Sequence, residues 1–498
     1  MDANAHELFS RGIKNVSGVA CHISCALQII YHSIPTICQD DMIDLSIIIT
    51  DSAVLGGEKS DELLTFLVEL GALFQLLGNR TPPPEEKQQS SDKKVSVRRN
   101  DGIDPSQLYK TFGSRLDPSR VGDVTASLRT ILQFVSQCLE HCVNMEHSQE
   151  TNKISQLGTL IYEGFRSVFW QGILSHQIIG SRSFKETKDS EDGESKHTTT
   201  AILQRKKPAK DRSLPCPVTI PVRGQRTVEA SIGSIIGSSQ AIQGYNWELL
   251  DQCEYEEERT IFEDLDSELT NGIRGVHLDV DNSSLSSSSN PSVASSSESD
   301  SVSSSSSSST SSSDDSLSSC EEWKTAKVLR CKKLPRVLIL HLNRSEFRNG
   351  RIKLIRDGIL VPSELNLDVV SDSVPGIRNK KFHLVGAVVH KDDGDKNEYD
   401  DSDGHYVSYV KCRIENSNIS AGGTNEIWNK IDDENVTPFI VRGDNDNNEN
   451  HFDPEPSTNV KIVSRSNLCA MLGGNTKKKD QCAIILMYHL LSNDLNAT

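Results

Sequence analysis

Cys21 is the first residue whose type and setting could carry covalent chemistry. It stands where the loop Lys14-Asn15-Val16-Ser17-Gly18-Val19-Ala20 gives way to an amphipathic stretch that ends at Pro35. At a helix start, unpaired backbone N–H groups and the helix dipole favour a thiolate, and the same N–H groups can hold an oxyanion. A cysteine on a helix face is more often plain core, and Cys25, one turn further in, fits that description better. A thiol nucleophile also needs a base within hydrogen-bond reach and a group that orients the base. Among fourteen histidines, His405 stands apart through its context, Asp403-Gly404-His405-Tyr406-Val407-Ser408-Tyr409-Val410. The glycine admits a substrate backbone close to the ring, and the alternating strand behind it holds the ring rigidly. Downstream, Glu426-Ile427-Trp428-Asn429-Lys430-Ile431-Asp432-Asp433 offers carboxylates on an adjacent strand. One of these would accept the His405 Nδ1–H and leave Nε2 free for the thiol. A strand-edge Gly-His alone is a weak sign. Thiol, base and carboxylate together point to acyl transfer.

The elements that must position these groups are legible from periodicity. Val19 to Pro35, the apolar run from Ser60 to Leu77, and the stretch from Ser119 to Val143 read as helices. In the second half, CPVTIPV, RVLILHL, FHLVGAVVH, HYVSYVKC and AIILMYHL are β-branched runs bounded by Gly, Pro, Asn and Asp, and they read as strands. Helices first and strands later predict an α+β layout. Residues 283–319 hold 25 serines in 37 positions, too little apolar surface to offset ordering entropy, and are expected to be disordered. Residues 81–100, 184–213 and 444–456 are expected to be flexible insertions within one catalytic domain spanning 10–492. The basic run Arg205-Lys206-Lys207-Pro208-Ala209-Lys210 reads either as a solvated loop or as a nuclear address.

Composition excludes several classes. The chain has 498 residues, and 53 basic against 70 acidic side chains give a net charge of −17. That balance argues against a protein that coats nucleic acid or an anionic membrane. No run reaches the roughly 18–20 apolar residues of a membrane span. The opening MDANAHELFSRGIKN lacks the order of a secretory signal. Cytoplasmic and/or nuclear location is expected, so the twelve cysteines read as thiols rather than disulfides. They include no Cys-x-x-Cys pair, which makes a structural zinc site unexpected.

The ordered set of segments resembles the signature boxes of the ubiquitin-specific protease family of cysteine deubiquitinases. Gly12-Ile13-Lys14-Asn15 matches the family's G-L-x-N opening, and Cys21 precedes Gln28 by seven residues, as the family nucleophile precedes its Gln. The second box is matched by Leu334 to Leu342, by Phe382 to His405-Tyr406, and by Trp428 to Val436. Ala483 to Tyr488 resembles the family's last core strand, and Gly122-Asp123 resembles its Gln-Gln-Asp element. The departures are specific. The family's oxyanion asparagine lies five residues before the nucleophile, where this chain has Val16, and Asn15 lies six before. The family's Tyr after the cysteine is His22, the Phe after Leu-x-Arg is Ser345, and one glycine precedes His405 instead of two. The cysteine pairs that hold zinc in the family's fingers are missing, with Tyr245-Asn246-Trp247 and Cys253 where one would stand.

The resemblance implies a papain-like α+β fold with thumb, palm and fingers, and hydrolysis of isopeptide or peptide bonds at the C-terminal glycine of ubiquitin. It assigns Cys21 as nucleophile, His405 as base and Asp432 as its orienting acid, with Asn15 as oxyanion donor. No metal or organic cofactor is expected; the partners expected are ubiquitin and ubiquitinated proteins, with no nucleic acid and no membrane, and the protein itself is expected to be a monomer. Two rivals remain: a catalytically weak ubiquitin-binding scaffold, and an isopeptidase for another ubiquitin-like modifier. The loop at 391–404, KDDGDKNEYDDSDG, carries seven acids against two lysines. Asp400, Asp401 and Asp403 are therefore expected to meet the arginines of ubiquitin's tail, and a merely solvated face is the bland alternative.

Overall fold

The computed structural model describes residues 11–52, 62–78, 102–145, 149–189, 196–236, 239–242, 256–262, 323–348, 351–370, 377–391, 404–412, 426–443, 461–474 and 481–491. Along the chain come α1 (Cys21–Ser33), α2 (Thr36–Asp51), α3 (Glu62–Gly78), α4 (Ser106–Thr111), α5 (Val124–Val143) and α6 (Gln149–Phe165), which runs into a π-helical turn, Arg166–Trp170. Next are β1 (Ile173–Asp189), β2 (Lys196–Lys206), β3 (Lys210–Ser213), β4 (Val218–Pro221), α7 (Val228–Gly233), β5 (Ser239–Ile242) and β6 (Glu256–Phe262). The second half contributes β7 (Lys324–Lys333), β8 (Val337–Asn343), β9 (Ser345–Arg348), β10 (Arg351–Leu354), β11 (Glu364–Val370) and β12 (Ile377–Lys391). It ends with β13 (His405–Lys411), β14 (Glu426–Asp432), β15 (Asn435–Arg442), β16 (Lys461–Ser464), α8 (Arg465–Gly473) and β17 (Gln481–Leu490). The α+β class follows from this order.

The chain divides into two compact units. The larger comprises residues 1–175, 211–238 and 330–498. Its nine-stranded sheet runs β16-β15-β14-β13-β12-β17-β8-β4, with β11 also on β12. Pairing is antiparallel except for β15–β16 and β4–β8. One sheet face packs under the helices, which is why β8 alternates: Val337 and Ile339 join the helical core, whereas Leu338, Leu340 and Leu342 join a second core on the opposite face. A strand covered on both faces reads as an unbroken apolar run, and each such side chain contributes about 1.5–3 kcal/mol on burial. Helix α1 is almost wholly buried because it lies between α5 and strands β12 and β13. Arg344, 1% exposed, ties the far end together by donating to the carbonyls of Ala483, Ile355, Asp357 and Gly473 at 2.8–3.2 Å.

The smaller unit, residues 176–210 and 239–329, holds a sheet in the order β5-β7-β1-β2-β6. Here the expected flexible insertion at 184–213 is corrected. Most of it is the antiparallel pair β1–β2, in register from Ile179↔Lys206 to Asp189↔Lys196. Its polar strands lack the apolar alternation that marks a half-buried strand, and ladder hydrogen bonding holds them instead. The basic run is correspondingly not a free loop at its start, since Arg205 and Lys206 stand opposite Glu257 and Glu256 in the β2–β6 ladder. The expected insertions at 81–100, 283–319 and 444–456, and the positions 245–247 and 253, lie outside the described residues. Among the described residues no helix is long and apolar enough to cross a membrane.

Candidate active site

Cys21 is the first residue of α1 and is 6% exposed. The N-cap, Ala20, supplies no side-chain cap; Ile23 N–H turns back to Ala20 O at 3.0 Å, and the Cys21 and His22 N–H groups are the ones at the open end of the helix, where an anion at the sulfur is favoured. The preceding loop is pinned at its start. Lys14 N–H donates to Ile103 O at 2.8 Å, Ile103 N–H to Gly12 O at 2.9 Å, and the buried Gln28 amide to Arg11 O at 3.0 Å. The extra residue between Asn15 and the thiol is absorbed in a turn: Gly18 N–H returns to Asn15 O at 3.1 Å, with Gly18 at φ 76°, a left-handed conformation that glycine adopts without a Cβ penalty. The Asn15 carboxamide therefore stays beside the nucleophile. Its Oδ1 accepts Ala20 N–H at 2.8 Å and its Nδ2 donates to Asp433 Oδ2 at 3.1 Å.

His405 opens β13 and Asp432 closes β14, and the β13–β14 ladder (Ser408↔Ile431) brings these ends together. His405 Nε2 lies 2.6 Å from Asp432 Oδ1, and Cys21 is near enough to His405 to act on its pKa. This corrects the ring assignment drawn from sequence: the acid holds Nε2, and Nδ1 is the nitrogen left for the sulfur. The Asp432 hydrogen bond, then that of Cys21, raise the His405 pKa to about 10, against the opposing effect of burial. The His405 bond in turn holds the Asp432 carboxyl well below the usual carboxylate range, with Lys430 Nζ 3.1 Å from its other oxygen. A histidine anchored by a carboxylate beside a helix-borne thiol is the arrangement of a base and its nucleophile. Cys25 differs: full burial pushes its thiol well up.

Two contributors escaped the sequence reading. Asp433, at φ 54°, occupies the tight turn between β14 and β15, where Asp tolerates left-handed backbone. Its carboxylate receives Asn15 and lies 3.9 Å from His405 Nε2, and burial raises its pKa. His22 was noticed only as a departure from the family Tyr; its Nδ1 lies 3.0 Å from Val19 O. The doubled Asp432-Asp433 was the one available signal for the first, and none existed for the second. At the mouth, Asp123 caps α5 by accepting Ala126 N–H at 2.7 Å. Asp400, Asp401 and Asp403 lie outside the described residues.

A helix-borne thiol facing a strand-borne imidazole and carboxylate, in an α+β scaffold, defines a thiol-hydrolase class of site. The family model "Ubiquitin carboxyl-terminal hydrolase" matches residues 11–488, and the chain belongs to that family. A curated relative, Ubiquitin carboxyl-terminal hydrolase 24 of Arabidopsis thaliana, is 29% identical over 117 residues, which is 23% of this chain and 18% of that protein. The match thus spans less than a fifth of the relative. Among solved structures, the SAGA Ubp8/Sgf11/Sus1/Sgf73 DUB module bound to ubiquitin aldehyde is similar with a TM-score of 0.46 at 13% identity, covering 99% of this chain and 72% of that one. The same module bound to monoubiquitin gives a TM-score of 0.47 at 13% identity, covering 98% and 71%.

Proposed function

We propose that this chain is a thiol-dependent deubiquitinase that hydrolyses isopeptide or peptide bonds at the C-terminal glycine of ubiquitin. The observation that carries the reading is the Cys21–His405–Asp432 constellation, with His405 held by Asp432 at 2.6 Å and influenced by Cys21, inside a chain of the ubiquitin carboxyl-terminal hydrolase family. Cys21 Sγ passes its proton to His405 as it attacks the terminal glycine carbonyl. The oxyanion is received by the Cys21 backbone N–H and the Asn15 carboxamide. His405 gives its proton to the leaving amine, and a thioester forms. His405 then takes a proton from water, which hydrolyses the thioester and restores the thiol. Asp432 keeps Nε2–H engaged, so Nδ1 faces sulfur throughout.

The rival with a specific observation behind it is a slow, ubiquitin-binding protein, because one Asn15 N–H is already given to Asp433. Turnover of a ubiquitin C-terminal fluorogenic substrate, measured beside a ubiquitin pull-down, separates the two. Turnover that vanishes in Cys21→Ala supports the enzyme, and retention of ubiquitin without turnover by wild type supports the binder. The same fluorogenic assay with other ubiquitin-like modifiers tests the third reading.

A further inference from the structure

The peptide unit between Val19 and Ala20, directly ahead of the nucleophile, is gripped at both ends by side chains. Its N–H donates to Asn15 Oδ1 at 2.8 Å, and its C=O lies 3.0 Å from His22 Nδ1. We propose that His22 is a positioning residue that, with Asn15, clamps the Val19–Ala20 peptide in the one orientation compatible with an oxyanion site at Cys21.

His22 is 3% exposed, and its ring lies on Gly122, where a Cβ would come within 2.5 Å of Nε2. The imidazole is thus held by the loop before α5 on one side and donates its Nδ1–H to Val19 O on the other. Because a carbonyl can only accept, Nδ1 carries the shared proton, and burial lowers the ring's pKa, opposed by the Val19 bond and the charge of Asp123. Rotating the clamped peptide by half a turn would aim Val19 O at Asn15 Oδ1, acceptor against acceptor, and would carry that oxygen away from His22 Nδ1, losing the second hydrogen bond. Both ends therefore select the same orientation. The chain needs such a device because its loop is one residue longer than the family pattern and Gly18 is exposed, with open space where a Cβ would stand. A longer, glycine-hinged loop is freer to turn its peptides. The clamp confines that freedom to 15–18 and delivers Ala20 and Cys21 in a fixed pose.

This role rests on the thiol-hydrolase activity proposed above, so the test carries a readout independent of turnover. An Asn at position 22 places its amide where Nδ1 stands and can still donate to Val19. A Gln fills the slot but places its amide near Nε2. His22→Gln is expected to lower kcat on the fluorogenic ubiquitin substrate about tenfold or more, with KM within about twofold, as misplacement near a reacting centre does. Hydrogen exchange at the Ala20 amide should accelerate in the same variant. His22→Asn should restore both. Wild-type kcat and wild-type Ala20 protection in His22→Gln would overturn the clamp, as would His22→Asn being as damaged as His22→Gln. A wild type inert on ubiquitin, with Ala20 exchange following the expected order, would sink the deubiquitinase reading and leave the clamp standing.

Discussion

Asp432 meets His405 through Nε2, at 2.6 Å, which leaves Nδ1 as the ring nitrogen available to Cys21. The orientation is set by two strand ends: His405 begins β13, Asp432 ends β14, and the ladder between them fixes which ring edge faces the acid. Replacing Asp432 with Asn removes the charge but preserves the shape. The expected loss is about 10²–10⁴ in kcat, the usual scale of positioned acid–base catalysis, with ubiquitin affinity unchanged. A loss below threefold would mean that Asp433, 3.9 Å from the same nitrogen, substitutes for it.

The same pair predicts a pH profile for stability. His405 is raised from 6.5 to about 10, so its contribution is complete below 6.5 and is lost as pH climbs toward 10. Asp432 is lowered from 3.8, so its contribution is complete above that value and is lost as pH falls. The melting-temperature advantage of wild type over Asp432→Asn should therefore be widest between about pH 4 and 6.5, shrinking on both sides. An advantage that grows between pH 7 and 10 would contradict the sign of the His405 shift.

How much of this was legible beforehand depends on what each feature needs. Helices α1, α3 and α5 and the buried strands β8, β12, β13 and β17 follow from periodicity and turn residues, and they are where that pattern placed them. Helix α2 was hidden because Pro35 reads as a terminator, yet it caps a second helix beginning at Thr36, a position proline tolerates. The β1–β2 pair was hidden because its strands carry no apolar alternation. At the site, residue types and spacing drew attention to Cys21, His405 and the acids near 432. They did not reveal the edge of the His405 ring presented to each partner, nor the link from Asn15 to Asp433. Both depend on strand ends and a φ of 54° that only the folded chain specifies.

Asn15 carries the least conventional geometry, since the inserted residue displaces it along the sequence while the turn to Gly18 keeps its amide against Ala20. Asn15→Ala is expected to lower kcat by about 10²–10³, the scale of one lost oxyanion donor. Steady-state kinetics on the fluorogenic substrate measures it. A drop smaller than about threefold would assign the oxyanion to backbone N–H groups alone.

The acidic segment at 392–403 is joined directly to the base through Gly404. One sign of charge near a cleft raises the on-rate of an opposite-sign ligand, and salt weakens the effect. Neutralising Asp400, Asp401 and Asp403 together to Asn should lower kcat/KM for ubiquitin substrates and flatten its dependence on ionic strength. Wild-type rate and wild-type salt slope in the triple variant would leave the segment a solvated surface.

The central claim is that Cys21, and not the neighbouring Cys25, is the nucleophile. Cys21 begins α1 and acts on the pKa of His405, whereas Cys25 is buried with its thiol driven toward the neutral form. The direct measurement is covalent labelling by a ubiquitin probe bearing a C-terminal electrophile, followed by mass on the intact chain. Wild type and Cys25→Ser should each gain one ubiquitin, and Cys21→Ala should gain none. Labelling that persists in Cys21→Ala, or disappears in a folded Cys25→Ser, would contradict the account.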